Sequence, residues 1–221
     1  MNAGATPPGA HGVRVLLVDD EPLVRQGFRL IMESEEDLEV VGEASDGAQA
    51  VDLVRRSNPD VVCLDVRMPD VDGIRATELI LALPDPPKVL VVTTFEHDDY
   101  VRGALAAGAS GFLLKRATAE ELVQAVRTVA HGSSLLFPEA VRELLRPRAR
   151  STDYTGPPLT TRESQMLARI ARGMTNAEIA ADLVLGIETV RSHVSSLLAK
   201  TGSRDRTQVT VLAYRTGLVE P

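Results

Sequence analysis

The sequence predicts two domains: a doubly wound α/β domain on a five-stranded parallel sheet, then a small all-α domain of four helices. Three observations carry that prediction. At 221 residues the chain is about one and a half times a typical ~150-residue domain. Over the first 131 residues, short runs rich in Val and Leu alternate with stretches of helical spacing. After a Pro- and Arg-bearing stretch at 142–158, only helical spacing remains. Hydrophobic residues at 44% and charged residues at 25% exclude a wholly disordered or collagen-like chain. Aromatics are only 3%, with no Trp, so the core must be built from Val, Leu, Ile and Ala. A single cysteine excludes an internal disulfide framework, and no Cys/His cluster has zinc-ligand spacing.

Strands are expected at 13–19, 38–44, 60–66, 89–93 and 111–114. Near-continuous apolar runs such as Val61-Val62-Cys63-Leu64 suit strands buried on both faces, as in a parallel sheet. Between them apolar residues return at helical intervals, as at Val24, Phe28 and Ile31 or at Leu122, Val126 and Val129. Pro22 fits a first helical turn, where no amide hydrogen is needed. In such a fold the ligand site lies at the carboxyl ends of the strands. Arg146, Pro147, Arg148, Arg150 and the closing Gly156-Pro157-Pro158 give the next stretch a linker's composition. Beyond it, Thr160 with Glu163 three residues on reads as a capping box. Asn176 reads as the cap of a helix over 177–183. A third helix is expected over 187–200 and a fourth over 206–216, stopped by Gly217. The expected organisation is a tail at 1–12, an α/β domain at 13–131, a linker at 132–158 and a helical domain at 159–219.

Charge divides along the same line. The net charge is −7, yet residues 1–135 carry 12 Lys and Arg against 22 Asp and Glu, and residues 136–221 carry 12 against 9. An acidic part joined to a mildly basic one suggests a metal or regulatory site in the first and a polyanion partner for the second. The opening residues lack the basic region and apolar stretch of a signal peptide. No apolar run approaches the ~18 residues needed to span a bilayer. A cytoplasmic protein with no membrane association is therefore expected.

Asp19 and Asp20 close the first strand, Asp65 the third, Thr93 the fourth and Lys115 the fifth. In a doubly wound sheet these residues converge on one edge. Three neighbouring carboxylates repel unless a cation neutralises them, and a hard, oxygen-ligated ion such as Mg²⁺ fits. A carboxylate beside Mg²⁺ can act as a nucleophile towards phosphorus. The Thr93 hydroxyl and the Lys115 ammonium would then hold phosphoryl oxygens. Each residue alone has an ordinary structural reading, as a turn residue or a solvated charge; their joint placement at strand ends favours the site.

Leu17-Val18-Asp19-Asp20-Glu21, Leu64-Asp65-Val66-Arg67-Met68-Pro69 with Asp72-Gly73, Val92-Thr93-Thr94, and Gly108-Ala109 leading to Phe112 and Lys115 resemble the receiver domain of bacterial two-component response regulators, a flavodoxin-like fold. The resemblance implies that Asp65 is the phosphoacceptor for a sensor histidine kinase. It implies that Asp20 and Asp65 bind Mg²⁺ directly together with the Arg67 backbone carbonyl, with Asp19 helping through water. Thr93 and Phe112 match the switch positions, and Thr94 would offer its backbone N–H. Arg116 follows the site lysine where many receivers have proline. Arg67 and Phe95 are expected to flank the phosphoryl group and, by their bulk, to slow its hydrolysis.

On a wheel of about 100° per residue, the third helix of the second domain puts Ile187, Val190, Val194, Leu197 and Leu198 on one apolar face. Glu188, Arg191, Ser192, Ser195 and Ala199 share a polar, small face, and His193, Ser196 and Lys200 lie along its rim. Such a face suits insertion into a major groove, with Arg191 on guanine and rim groups on phosphates; any small helical bundle also shows a polar face. Leu159-Thr160-Thr161-Arg162-Glu163, the run 173–180 from Gly-Met-Thr-Asn to Ile-Ala, Thr189-Val190-Arg191-Ser192-His193, and Arg204-Asp205-Arg206 resemble the LuxR-type helix-turn-helix output domain. Joined to a receiver, this is the NarL/FixJ-type architecture. Gly186 stands where Ser is usual, Arg191 where Lys is usual, and Thr201 where Leu is usual. The expected DNA contacts are Asn176, Arg191, Ser192, His193, Ser195 and Lys200. By resemblance, the last helix forms a homodimer contact through Val209, Val211, Leu212 and Tyr214.

The expected function is a transcription factor binding double-stranded promoter DNA as a dimer, switched at Asp65, and not an enzyme beyond its own phosphotransfer and dephosphorylation. Two other classes are weighed. A Mg²⁺-dependent phosphatase would call for Asp-x-Asp at the nucleophile, and here Arg67 stands two beyond Asp65. An interaction protein would use the helical domain on protein. A dinucleotide-binding enzyme is disfavoured because Asp19-Asp20-Glu21 replaces the glycine-rich turn.

Overall fold

The computed structural model describes residues 12–94, 98–132, 154 and 156–219, with Asp98 and Asp99 described in backbone only. Phe95, the expected tail except Gly12, and most of the expected linker lie outside the described residues. Strands β1 (Val13–Val18), β2 (Leu38–Ala44), β3 (Val61–Leu64), β4 (Lys88–Thr93) and β5 (Gly111–Leu114) form one sheet in the order β2-β1-β3-β4-β5. β1 pairs in parallel with β2 and β3, and β3 in parallel with β4. The winding therefore reverses between β1 and β3, whose carboxyl ends are adjacent. In open α/β sheets that reversal opens the ligand crevice.

The Val and Leu runs fold as strands because helices cover the sheet: every residue of β3 is buried, as are five of six in β4. Helices α1 (Pro22–Glu33), α2 (Gly47–Ser57), α3 (Gly73–Leu81), α4 (Asp98–Ala107) and α5 (Ala119–Ala130) follow the strands in turn. α1 lies beside α5, and α2 beside α3. Their starts are written in the sequence. Pro22 opens α1, Asp46 and Asp72 cap α2 and α3, and Thr118 with Glu121 makes a capping box on α5.

The helical domain comprises α6 (Thr161–Ala171), α7 (Asn176–Leu183), α8 (Ile187–Thr201) and α9 (Arg206–Arg215). Met166, Leu167, Ile170, Ile179, Val190, Val194, Leu197 and Val209 form its core. Two expectations are corrected. The cap of α7 is Thr175, whose hydroxyl accepts from the Glu178 amide while Glu178 closes a capping box; Asn176 is the first helical residue. Ile187, assigned to the apolar face of α8, is 41% exposed, because at the start of the helix it lies beyond the packed neighbours. Among the described residues no helix is long and apolar enough to cross a membrane.

The compact units do not coincide with the two sequence domains. Among the described residues, one takes 12–94 together with Leu113–His131; the other joins 98–112 to 132, 154 and 156–219.

Candidate functional site

The carboxyl ends of β1 and β3 bring Asp19, Asp20 and Asp65 together. Each offers one oxygen lying within 4.8 Å of the others, with Asp19 and Asp65 buried and Asp20 exposed. Lys115, just beyond β5, reaches into this cluster with its side chain only 7% exposed. Its Nζ sits 2.7 Å from Asp19 Oδ2, 2.9 Å from Asp65 Oδ2 and 3.2 Å from Glu21 Oε1. The Lys115 amide also donates to the Thr93 carbonyl at 2.9 Å, so the chain direction that delivers the ammonium is fixed by the sheet. Three carboxylates meet one ammonium and Asp20 adds a fourth acid to the cluster; the surplus of anionic oxygens, with an exposed side at Asp20, fits a hard divalent cation such as Mg²⁺.

Burial raises the Asp19 carboxyl above its usual range, against the opposing pull of Lys115 and of the Glu21 amide, which donates to Asp19 Oδ1 at 2.9 Å. For Lys115, burial works against the charge, but hydrogen bonds to Asp19 and Asp65 more than offset it and hold the ammonium above the ordinary lysine range. Burial pushes the Cys63 thiol up to about 12, away from the thiolate form a nucleophile needs.

The position of Asp65 depends on its loop. Its Oδ1 accepts from the Val66 amide at 2.7 Å, and the Gly73 amide donates to the Val66 carbonyl at 2.8 Å. A Cβ on Gly73 would overlap the Asp65 carbonyl oxygen, so only glycine lets α3 start against the Asp65 backbone. Thr93 is buried at the end of β4, and Thr94 beside it is exposed. Within the other unit, Phe112 packs with Val101, Leu105 and Val211. Sequence reasoning did not assign a role to Glu21; its place in the Asp19-Asp20-Glu21 run was the available signal.

On α8, Arg191, Ser192, Ser195, Ser196 and Ala199 are exposed along one side, as the wheel requires, and His193 is half-buried. Lys200 is engaged elsewhere: its Nζ donates to Glu163 Oε2 at 2.7 Å, and the same oxygen accepts from the Thr160 amide. Asn176 Oδ1 accepts from Arg206 Nη1 at 3.0 Å, bracing α9 against the start of α7. Of the residues expected at a dimer contact, Val209 and Tyr214 are buried within the chain. Val209 is in the helical core, and Tyr214 packs on Ala171 and donates its hydroxyl to the Ala171 carbonyl at 2.8 Å. Both are consumed by the fold, because the apolar residues of α9 spread around most of its circumference. Val211 packs on α4, and Leu212 is half-buried.

The α4–β5 turn also bonds to α9. Ser110 donates to Asp205 Oδ2 at 2.8 Å, Thr207 donates to the Ser110 carbonyl at 2.6 Å, and Gln208 Nε2 donates to the Ala109 carbonyl at 2.8 Å.

An acidic strand-end pocket with a buried lysine, followed by a helix-turn-helix bundle, matches two family models. The response regulator receiver domain matches residues 15–127, and the bacterial regulatory proteins of the luxR family match residues 157–213. The chain belongs to the response regulators of two-component systems, of the NarL/FixJ type: DNA-binding regulators of transcription rather than enzymes in the ordinary sense. Among its relatives is the transcriptional regulatory protein LiaR of Bacillus subtilis, 40% identical over 209 residues that cover 94% of this chain and 99% of LiaR. The response regulator protein VraR of Staphylococcus aureus is 36% identical over 211 residues, covering 94% and 99%. The crystal structure of ChrA, the response regulator of a heme-sensing two-component system, is similar with a TM-score of 0.52 at 34% identity, covering 94% of this chain and 99% of that one.

Proposed function

We propose that Asp65 accepts a phosphoryl group from a partner sensor histidine kinase, and that this switches binding of the helical domain to promoter DNA as a homodimer. The observation that carries the reading is the Lys115 ammonium 2.9 Å from Asp65 Oδ2, within a cluster of carboxylates that otherwise repel. An Asp65 oxygen attacks phosphorus while the bond from phosphorus to the donor imidazole breaks, and the imidazole leaves with the electron pair. Lys115 neutralises charge on the transferred oxygens. Mg²⁺, when bound, would add charge neutralisation at the same oxygens; Asp20, Asp65 and the Arg67 carbonyl are its proposed direct ligands, with Asp19 helping through water. Thr93 and Phe112 are the switch pair, Thr94 adds its backbone N–H, and the protein catalyses only its own phosphotransfer and dephosphorylation.

In this reading the receiver spans 13–131, the linker 132–158 and the DNA-binding domain 159–219, in the cytoplasm. Arg191, Ser192 and Ser195 face the groove, with His193, Asn176 and Lys200 at its margin. Val211 and Leu212 remain as the α9 dimer face. Val211 is covered by Val101, Leu105 and Phe112, so dimerisation requires α4 to release α9, and phosphorylation supplies the bias. The test is recovery of genomic duplex fragments by the full chain with and without a small-molecule phosphodonor and Mg²⁺. Selective recovery that strengthens with the donor and falls steeply with salt supports the reading. Equal recovery in both arms overturns the switching, and no recovery overturns the DNA binding.

A further inference from the structure

The outward side of α8 is almost bare of net charge. Of its exposed residues, only Glu188 and Arg191 are charged, and they are bonded to each other: Arg191 Nη1 donates to Glu188 Oε1 at 2.6 Å, with the two side chains 59% and 76% exposed. Lys200, at the far end of the helix, is already held by Glu163. Facing phosphates, Glu188 is repelled, and it takes up the one exposed cation of α8 among the described residues. Its position in the first turn gives it a favourable interaction with the helix dipole, but that does not require it to share a side with Arg191.

Inside a major groove a carboxylate can only accept hydrogen bonds. Guanine presents two acceptors there, thymine an acceptor and a methyl group, and adenine an acceptor beside its amino group. Cytosine alone presents an amino donor with no acceptor beside it. Residues three apart on a helix lie about 5–6 Å from one another, against about 3.4 Å between successive bases of one strand, so Glu188 and Arg191 reach the same or adjoining base pairs.

We propose that Glu188 is a specificity-determining residue of α8, accepting a hydrogen bond from the N4 amino group of a cytosine within two base pairs of the guanine bound by Arg191. This rests on the reading of α8 as the helix that enters DNA. On binding, each partner of the exposed ion pair exchanges the other for a base edge: Arg191 takes the O6 and N7 acceptors of guanine, and Glu188 takes the N4 donor of cytosine. The unbound pair keeps both side chains exposed on the reading face. It also leaves the helix little attraction for duplexes that lack the matching bases.

The experiment is selection of binding sites from a randomised duplex pool by the full chain with a phosphodonor, using the natural protein, Glu188→Ala and Glu188→Gln, with thermal melts confirming that each is folded. The natural protein is expected to fix cytosine at one position per half-site. Glu188→Ala is expected to lose that preference by about tenfold while keeping the neighbouring guanine, and to bind unselected duplex several-fold more tightly at low salt. Glu188→Gln is expected to move the preference towards adenine, whose N6 and N7 match an amide. Identical consensus sequences from all three proteins, with Glu188→Ala binding every duplex more tightly by one common factor, would overturn the proposal and leave Glu188 as a repelling charge. If the folded natural protein selects no sequence at all, the DNA reading of α8 falls, and this inference with it.

Discussion

Lys115 is the residue on which the acidic pocket depends. Its ammonium is the counter-charge for two buried carboxylates, at 2.7 Å and 2.9 Å, and removing one partner of a buried charge group leaves the rest uncompensated. Lys115→Met is expected to destabilise the receiver by about 3 kcal/mol, read as a lower denaturant midpoint, with part of the loss restored by added Mg²⁺. An unchanged midpoint would mean that the pocket is far wetter than its geometry indicates. Gly73 makes a steric claim on the same site. Gly73→Ala places a methyl group where the Asp65 carbonyl lies, and a loss of about 1–3 kcal/mol with slower phosphoryl uptake is expected. Asp19, Asp20, Asp65, Thr93 and Lys115 were legible in the sequence because each closes a short, near-continuous apolar run that reads as a strand buried on both faces. The interactions of Lys200 were not. Its partner Glu163 lies on another helix, 37 residues away, and a wheel drawn for one helix carries no information about the next.

Helix termini set the turn of the DNA-binding motif, and two of them are unoptimised. Gly186 begins α8 with no side-chain cap, and the space around it is open, the nearest atom to an added Cβ being Thr189 Oγ1 at 3.6 Å. Gly186→Ser is expected to raise stability by a few tenths of a kcal/mol. Val184, 91% exposed, holds φ 54° and ψ 51° at the end of α7, a left-handed conformation that opposes a β-branched residue. Val184→Gly is expected to add about 1 kcal/mol, seen as a higher melting temperature. Glu163 joins α6 to α8, and the Lys200 ammonium, then the Thr160 amide, hold its carboxyl down to about 2. A depressed carboxyl stabilises the fold above its unfolded value and loses that contribution as pH falls through the folded one. The melting temperature of the helical domain should therefore decline from about pH 4.5 towards about pH 2, and Glu163→Gln should flatten that decline. The number and order of helices were readable from periodicity and caps. The facing of α9 was not, because Val209, Val211, Leu212, Ala213 and Tyr214 crowd apolar groups around nearly the full turn, and only packing decides that Val209 points to the core and Val211 to α4.

The α4–β5 turn bonds to the start of α9 through Ser110, Thr207 and Gln208, and the proposed switch is expected to act on these bonds. Weakening that junction with Gln208→Ala and Thr207→Val should raise DNA affinity in the absence of a phosphodonor and narrow the difference the donor makes; an unaltered difference would place the coupling elsewhere. That coupling matters only if the pocket takes up phosphorus. The direct test is intact mass of the full chain after exposure to acetyl phosphate with Mg²⁺, beside Asp65→Asn treated identically. One added phosphoryl group on the natural chain, lost without Mg²⁺ and absent from the variant, is the predicted result. A natural chain whose mass never rises, or a variant that gains the same mass, would contradict the account.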